Sequence, residues 1–166
     1  MANKQNFTPD EWTKVLESVI LACLAITASE PSGVWGTLME TFAGGSALAA
    51  SKVDPGSNEL IKAVISDFET TQGRFSVQEA LRKGLGGAKS ADVVKLSLAN
   101  LREVSAILNA KAPGDAPAFK AWLRGISQKV AEASPEGGFL GFGGVQVSDA
   151  EKATLADISK ALGISA

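Results

Sequence analysis

The 166 residues contain no histidine and no tyrosine, and Cys23 is the only cysteine. The missing histidine excludes Ser-His-Asp and Cys-His nucleophilic systems, the commonest general base, and every histidine-ligated zinc or haem site. A single thiol can form neither an internal disulfide nor a thiolate metal cluster, and it suits a reducing cytoplasm. Long apolar runs are missing as well. The most apolar stretch, Val19 to Ala28, is about half the ~20 residues that cross a bilayer, and Glu17 and Glu30 flank it. It reads as a buried helix rather than a membrane span. The opening residues, "MANKQNFTPDEW", lack the apolar region of a signal peptide and place Asp10 and Glu11 where one would begin. Sustained period-two alternation bounded by turns is also absent, so no sheet is expected.

What is present fits an ordinary globular protein: 45% hydrophobic and 20% charged residues, in a length of about one domain. Helix signals run from end to end. Thr8 is an N-cap, Pro9 the first helical residue, and Glu11 the partner in a capping box, while Phe7 and Trp12 form a hydrophobic staple. The helix predicted over Pro9 to Ser29 carries apolar residues on more than one face, which places it at the centre of the fold. Trp35, Leu38, Met39 and Phe42 predict a second helix. Ser57 is the expected cap of a third, with Leu60, Ile61, Val64, Ile65 and Phe68 inward and Gly73 as its stop. Ser76 and Glu79 predict a capping box for a short helix ending near Gly86. A long helix follows from Ser90 to Lys111, and "APGDAP" ends it. Asp115 then caps a helix with Phe119, Trp122, Leu123, Ile126 and Val130 inward. Ser148 and Glu151 open the last helix, and Gly163 with Ile164 closes it in a Schellman turn. The expectation is an all-α, single-domain bundle of about seven helices spanning residues 1–166.

The stretch "EGGFLGFGGVQV", residues 136–147, carries five glycines between two expected helices. It lacks the Lys and Ser/Thr of a P-loop, Gln146 stands where GxGxxG needs its third glycine, and no strand precedes it. Asp149 and Glu151 already answer the positive end of the next helix, so a phosphate would be repelled. Phe139 and Phe142 are therefore expected to plug the bundle, with a mobile lid or partner-binding segment as the alternative.

Charge is uneven. Residues 1–73 carry −5, residues 74–130 carry +6 and residues 131–166 carry −3, within a net −2. The basic middle is dispersed, with no more than two cations adjacent, and with a pI near 5.2 no nucleic-acid partner is expected. Asp67 and Glu69 are two apart on a helix and diverge. Glu30, at the turn after the first helix, has no capping duty and is the acidic residue to watch. Cys23 lies in the most apolar helix without a cationic neighbour, as an inert packing residue does. Trp12, Trp35 and Trp122 fall on apolar helix faces and read as core.

Two stretches carry a family likeness. "LACLAITASEPSG" followed by a helix, and the closing "VSDAEKATLADISKALGI", resemble the tellurite-resistance TerB-like proteins, a bacterial all-helical family. The likeness covers roughly a quarter of the chain. It implies a stress-associated, non-enzymatic cytoplasmic protein. In that family the acidic turn is associated with metal; here Glu30 alone occupies the matching place, and Gly33 follows after an inserted Pro31 and Ser32. One carboxylate does not make a calcium site, so no metal and no cofactor are expected. The functional expectation is a non-catalytic helical protein that binds a protein partner, with a small apolar ligand as the alternative. Gly44, Gly45 and the 139–147 segment are the places where such a ligand would enter. A homo-oligomer is compatible with either reading.

Overall fold

A computed structural model describes residues 2–29, 58–133 and 147–165. The fold is all-α, with six α-helices and no strand among the described residues. The second helix, expected around Trp35 to Phe42, lies outside them.

Helix α1, Pro9–Ser29, starts as its sequence dictates. Glu11 Oε2 accepts the Thr8 N–H at 2.8 Å while Thr8 Oγ1 accepts the Glu11 N–H at 3.2 Å, so two otherwise orphan donors are satisfied reciprocally. The staple closes with the Phe7 and Trp12 rings 5.5 Å apart. Every residue from Ser18 to Ile26 is buried, because α1 runs through the middle of the bundle with the other helices packed around it. On length and composition alone α1 could cross a membrane, a point that the short run from Val19 to Ala28 does not reveal. In this fold 72% of its apolar window is covered by protein.

The next two helices correct the sequence reading. α2 is Glu59–Glu69, and its cap is Asn58 rather than Ser57: the Asn58 side chain accepts the Ile61 N–H at 3.0 Å. α3 is Thr71–Leu85, so it begins ahead of Gly73 instead of after it. Thr70 serves both helices. Its hydroxyl donates to the Asp67 carbonyl at 2.7 Å and accepts the Gly73 N–H at 2.9 Å, ending one helix and starting the other with a single residue. Arg74 then donates to the carbonyls of Phe68 and Glu69, two of the groups that the end of α2 leaves unpaired. Ser76 and Glu79 are inside α3 and form no cap; Glu79 pairs instead with Arg82 at 3.0 Å and Lys83 at 3.3 Å.

The remaining boundaries agree with their sequence signals. α4 is Ser90–Lys111 and α5 is Ala116–Ala133. α6, Asp149–Leu162, opens with the Ser148–Glu151 capping box and closes at Gly163, whose φ of 68° favours glycine. The Ile164 N–H reaches the Ser159 carbonyl and the Gly163 N–H the Lys160 carbonyl, which is the Schellman pairing. Side-chain bonds across the bundle then fix its helices: Ser127 to the Ala22 carbonyl, Ser105 to the Leu162 carbonyl, and Arg124 to Ser159. Lys14 with Glu103 and Lys111 with Glu11 join α1 to α4 at the surface.

Candidate functional site

Glu30, Phe139 and Phe142, the residues the sequence singles out, lie outside the described residues, as do Trp35, Gly44 and Gly45. Val147, the last residue of the glycine-rich segment, packs against the core. Glu151 closes the cap of α6, so the positive end of that helix is answered from within the chain.

Among the described residues a cleft of about 260 Å³ opens where the start of α1 meets the junction of α2 and α3. Trp12 and Asp67 form its polar floor. The Trp12 Nε1–H donates to Asp67 Oδ2 at 2.7 Å, giving a buried indole the acceptor it needs. Lys4 donates to the same carboxylate at 3.1 Å from the solvent side. Gly73 forms part of the wall. A Cβ there would stand 2.1 Å from the Asp67 carbonyl oxygen, so only glycine lets α3 approach this closely. Phe75 lies in the same turn of α3 and is 65% exposed.

Asp67 was legible in the sequence only as a carboxylate diverging from Glu69. Its partner Trp12 is 55 residues away, and the one hint was that a buried tryptophan needs an acceptor.

The other buried ionisable groups are committed to the fold. Asp115 does stand before α5, but its carboxylate is turned to the N–H of Ala2, at 2.7 Å. Lys120 donates to Asn109 Oδ1, and burial lowers its pKa. Burial pushes the Cys23 thiol up to about 12, and its sulfur donates to the Val19 carbonyl, so it is a poor nucleophile at neutral pH. The Arg82 guanidinium, with Lys83, holds the Glu79 carboxyl below its ordinary range on the surface of α3. Trp12 is core as expected, and Trp122 is half-buried against Phe119 at 5.3 Å. No three Cys, Asp or Glu side chains gather as metal ligands among the described residues.

The geometry thus offers a cleft in which Trp12 and Lys4 are both paired with Asp67, walled in part by the helix that exposes Phe75. No family model, curated protein or solved structure matches the chain.

Proposed function

We propose that the protein acts by binding, as a non-catalytic helical interaction module, and that α3 around Phe75 carries its partner contact. The observation that supports this reading is the exposure of Phe75. It is 65% exposed in a bundle whose other large apolar side chains, among the described residues, are tucked in except Leu96 at 43%. Arg82 lies two turns further along the same face of α3, and exposed aromatics with arginine are the usual anchors of protein contacts. The likeness to TerB-like proteins adds a stress-associated, cytoplasmic, bacterial setting to the proposal.

The cleft favours a protein over a small apolar ligand. Its volume falls below the ~300–1,000 Å³ of typical ligand sites, and Lys4 and Asp67 line it beside Phe7 and Trp12.

The test compares the native chain with Phe75→Ala. A photo-crosslinker placed at Gln78, one turn from Phe75, should trap a protein in cells with the native chain and lose it with Phe75→Ala. The unfolding midpoint should be unchanged within about 0.5 kcal/mol, as expected for an exposed position. Equal trapping by both chains would sink the proposal. So would specific stabilisation by an apolar metabolite with no protein trapped.

A further inference from the structure

The two large apolar side chains left exposed among the described residues, Phe75 and Leu96, both lie on the consecutive helices α3 and α4. The positive charge of the chain collects on the same two helices. Residues 71–111 carry seven Lys/Arg against three Asp/Glu, a net +4, while the rest of the sequence carries −6. Bonds within the bundle engage part of this charge. Arg82 and Lys83 share Glu79, Lys111 meets Glu11, Lys14 takes Glu103, and the Arg74 guanidinium is spent on the carbonyls that end α2. Lys89, Lys95 and Arg102 remain, exposed and without an ion pair among the described residues. Asp92 is the one carboxylate here with no cation on it, and it stands in the first turn of α4, where it answers the positive end of its own helix.

We infer that the partner docked on Phe75 is an acidic segment of another protein, with apolar side chains that seat on Phe75 and Leu96 and carboxylates that meet Lys89, Lys95 and Arg102. The inference rests on the reading of α3 as the partner contact and adds the chemistry of what binds there. Lys95 and Arg102 are two helical turns apart and so share the outward face of α4, with Leu96 beside them; Phe75 and Arg82 repeat that spacing on α3. Apolar anchors flanked by unpaired cations make a contact whose centre supplies affinity and whose rim supplies selection and speed of encounter. A basic partner would be repelled by the same rim. An anionic membrane would match the charge, but two apolar side chains set singly among polar ones are not the continuous apolar face that lies in a bilayer interface.

The experiment returns to the photo-crosslinker at Gln78, in the full chain and in Lys95→Glu/Arg102→Glu, which changes two exposed positions and no helix cap. The trapped segment is identified by mass spectrometry and synthesised as a peptide, and its affinity for the full chain is read by fluorescence anisotropy. It should carry more Asp and Glu than Lys and Arg. Binding should weaken roughly tenfold or more between about 50 and 500 mM salt, and by a similar factor in the double variant, with the urea midpoint unchanged. Lys95→Gln/Arg102→Gln, which removes the charge without reversing it, should lose less. The salt series needs no variant, so it decides even where a variant is unstable. A trapped segment that is neutral or basic, or whose affinity ignores salt and both variants, would overturn the acidic partner while leaving α3 as a contact. A chain that traps no protein would take both readings down together. Binding to phosphatidylserine vesicles, lost in the double variant with no segment trapped, would put a membrane in place of the protein and overturn the inference.

Discussion

Helix α1 buries every residue from Ser18 to Ile26, whereas its neighbour α3 buries a single line, Gly73, Val77 and Leu81, one turn apart. The two helices are held by different means. The stretch of α1 from Ser18 to Ile26 is buried on all sides, with five other helices packed around α1. α3 depends on one narrow stripe, on the doubled cap at Thr70 and on the Glu79 ion pairs at its surface. Surface ion pairs contribute little, typically about 0–1 kcal/mol each. The difference separates duties: α1 is scaffold, and α3 is the element free to present a side chain outward and to open without dissolving the core.

The largest expected effect tests the scaffold half of that contrast. Leu24 is fully buried in α1, so Leu24→Ala should cost about 2–5 kcal/mol in urea unfolding, the range for deleting a buried leucine side chain. Hydrogen exchange should show the α1 amides opening only with global unfolding, with α3 amides exchanging earlier. Loss at Leu24 no greater than at the exposed Phe75 would break the contrast.

A smaller effect probes how α3 is anchored, through two of its glycines. Gly73→Ala would drive a Cβ to 2.1 Å from the Asp67 carbonyl oxygen and should cost about 1–3 kcal/mol, because the junction of α2 and α3 must shift. Gly84 has nothing within 4 Å of the same Cβ, so Gly84→Ala should stabilise by about 0.5–1 kcal/mol, through the better helix propensity of alanine. Opposite signs in one helix are the expected result. Two losses of equal size would mean that the close approach at Gly73 is not what positions α3.

How far the sequence could be read follows the same division between local and distant contacts. The caps at Thr8 and Ser148 and the Schellman turn at Gly163 are legible because every partner lies within a few residues. The α2–α3 boundary is misread from sequence because Gly73, a helix stop by propensity, is instead required by the tight turn at Thr70, which brings it against the Asp67 carbonyl. Neither Trp12 with Asp67 nor Ala2 with Asp115 leaves a periodic trace, since their partners are brought together only by the finished bundle. The polar floor of the cleft is therefore invisible in the sequence, although helix signals alone assign Trp12 and Asp67 to helices.

The smallest effect concerns the one polar flaw in the scaffold. Glu17 sits half-buried on α1, and burial pushes its carboxyl up to about 6 from an ordinary 4.5; Lys14 opposes the rise and Glu103 adds to it. Lys14 is itself engaged by Glu103, so its charge is shared. The sign follows from linkage. In the unfolded chain Glu17 ionises near its ordinary value, while in the fold it holds its proton to about 6, so the folded state is penalised as pH rises between the two and the penalty stays in full above about 6. Taken at face value the shift is worth ~2 kcal/mol, and solvent screening of a side chain that is partly exposed reduces this to roughly 1 kcal/mol or less. Glu17→Gln removes the titration while keeping the shape. It should raise stability at pH 7 by about 0.5–1 kcal/mol, and the gain should fade as the pH is lowered through 6 toward 4.5. Urea midpoints of the two chains across that range measure it. A glutamine variant that is no more stable at pH 7, or whose advantage grows on acidification, would show that Glu17 is solvated in the fold and that α1 carries no such flaw.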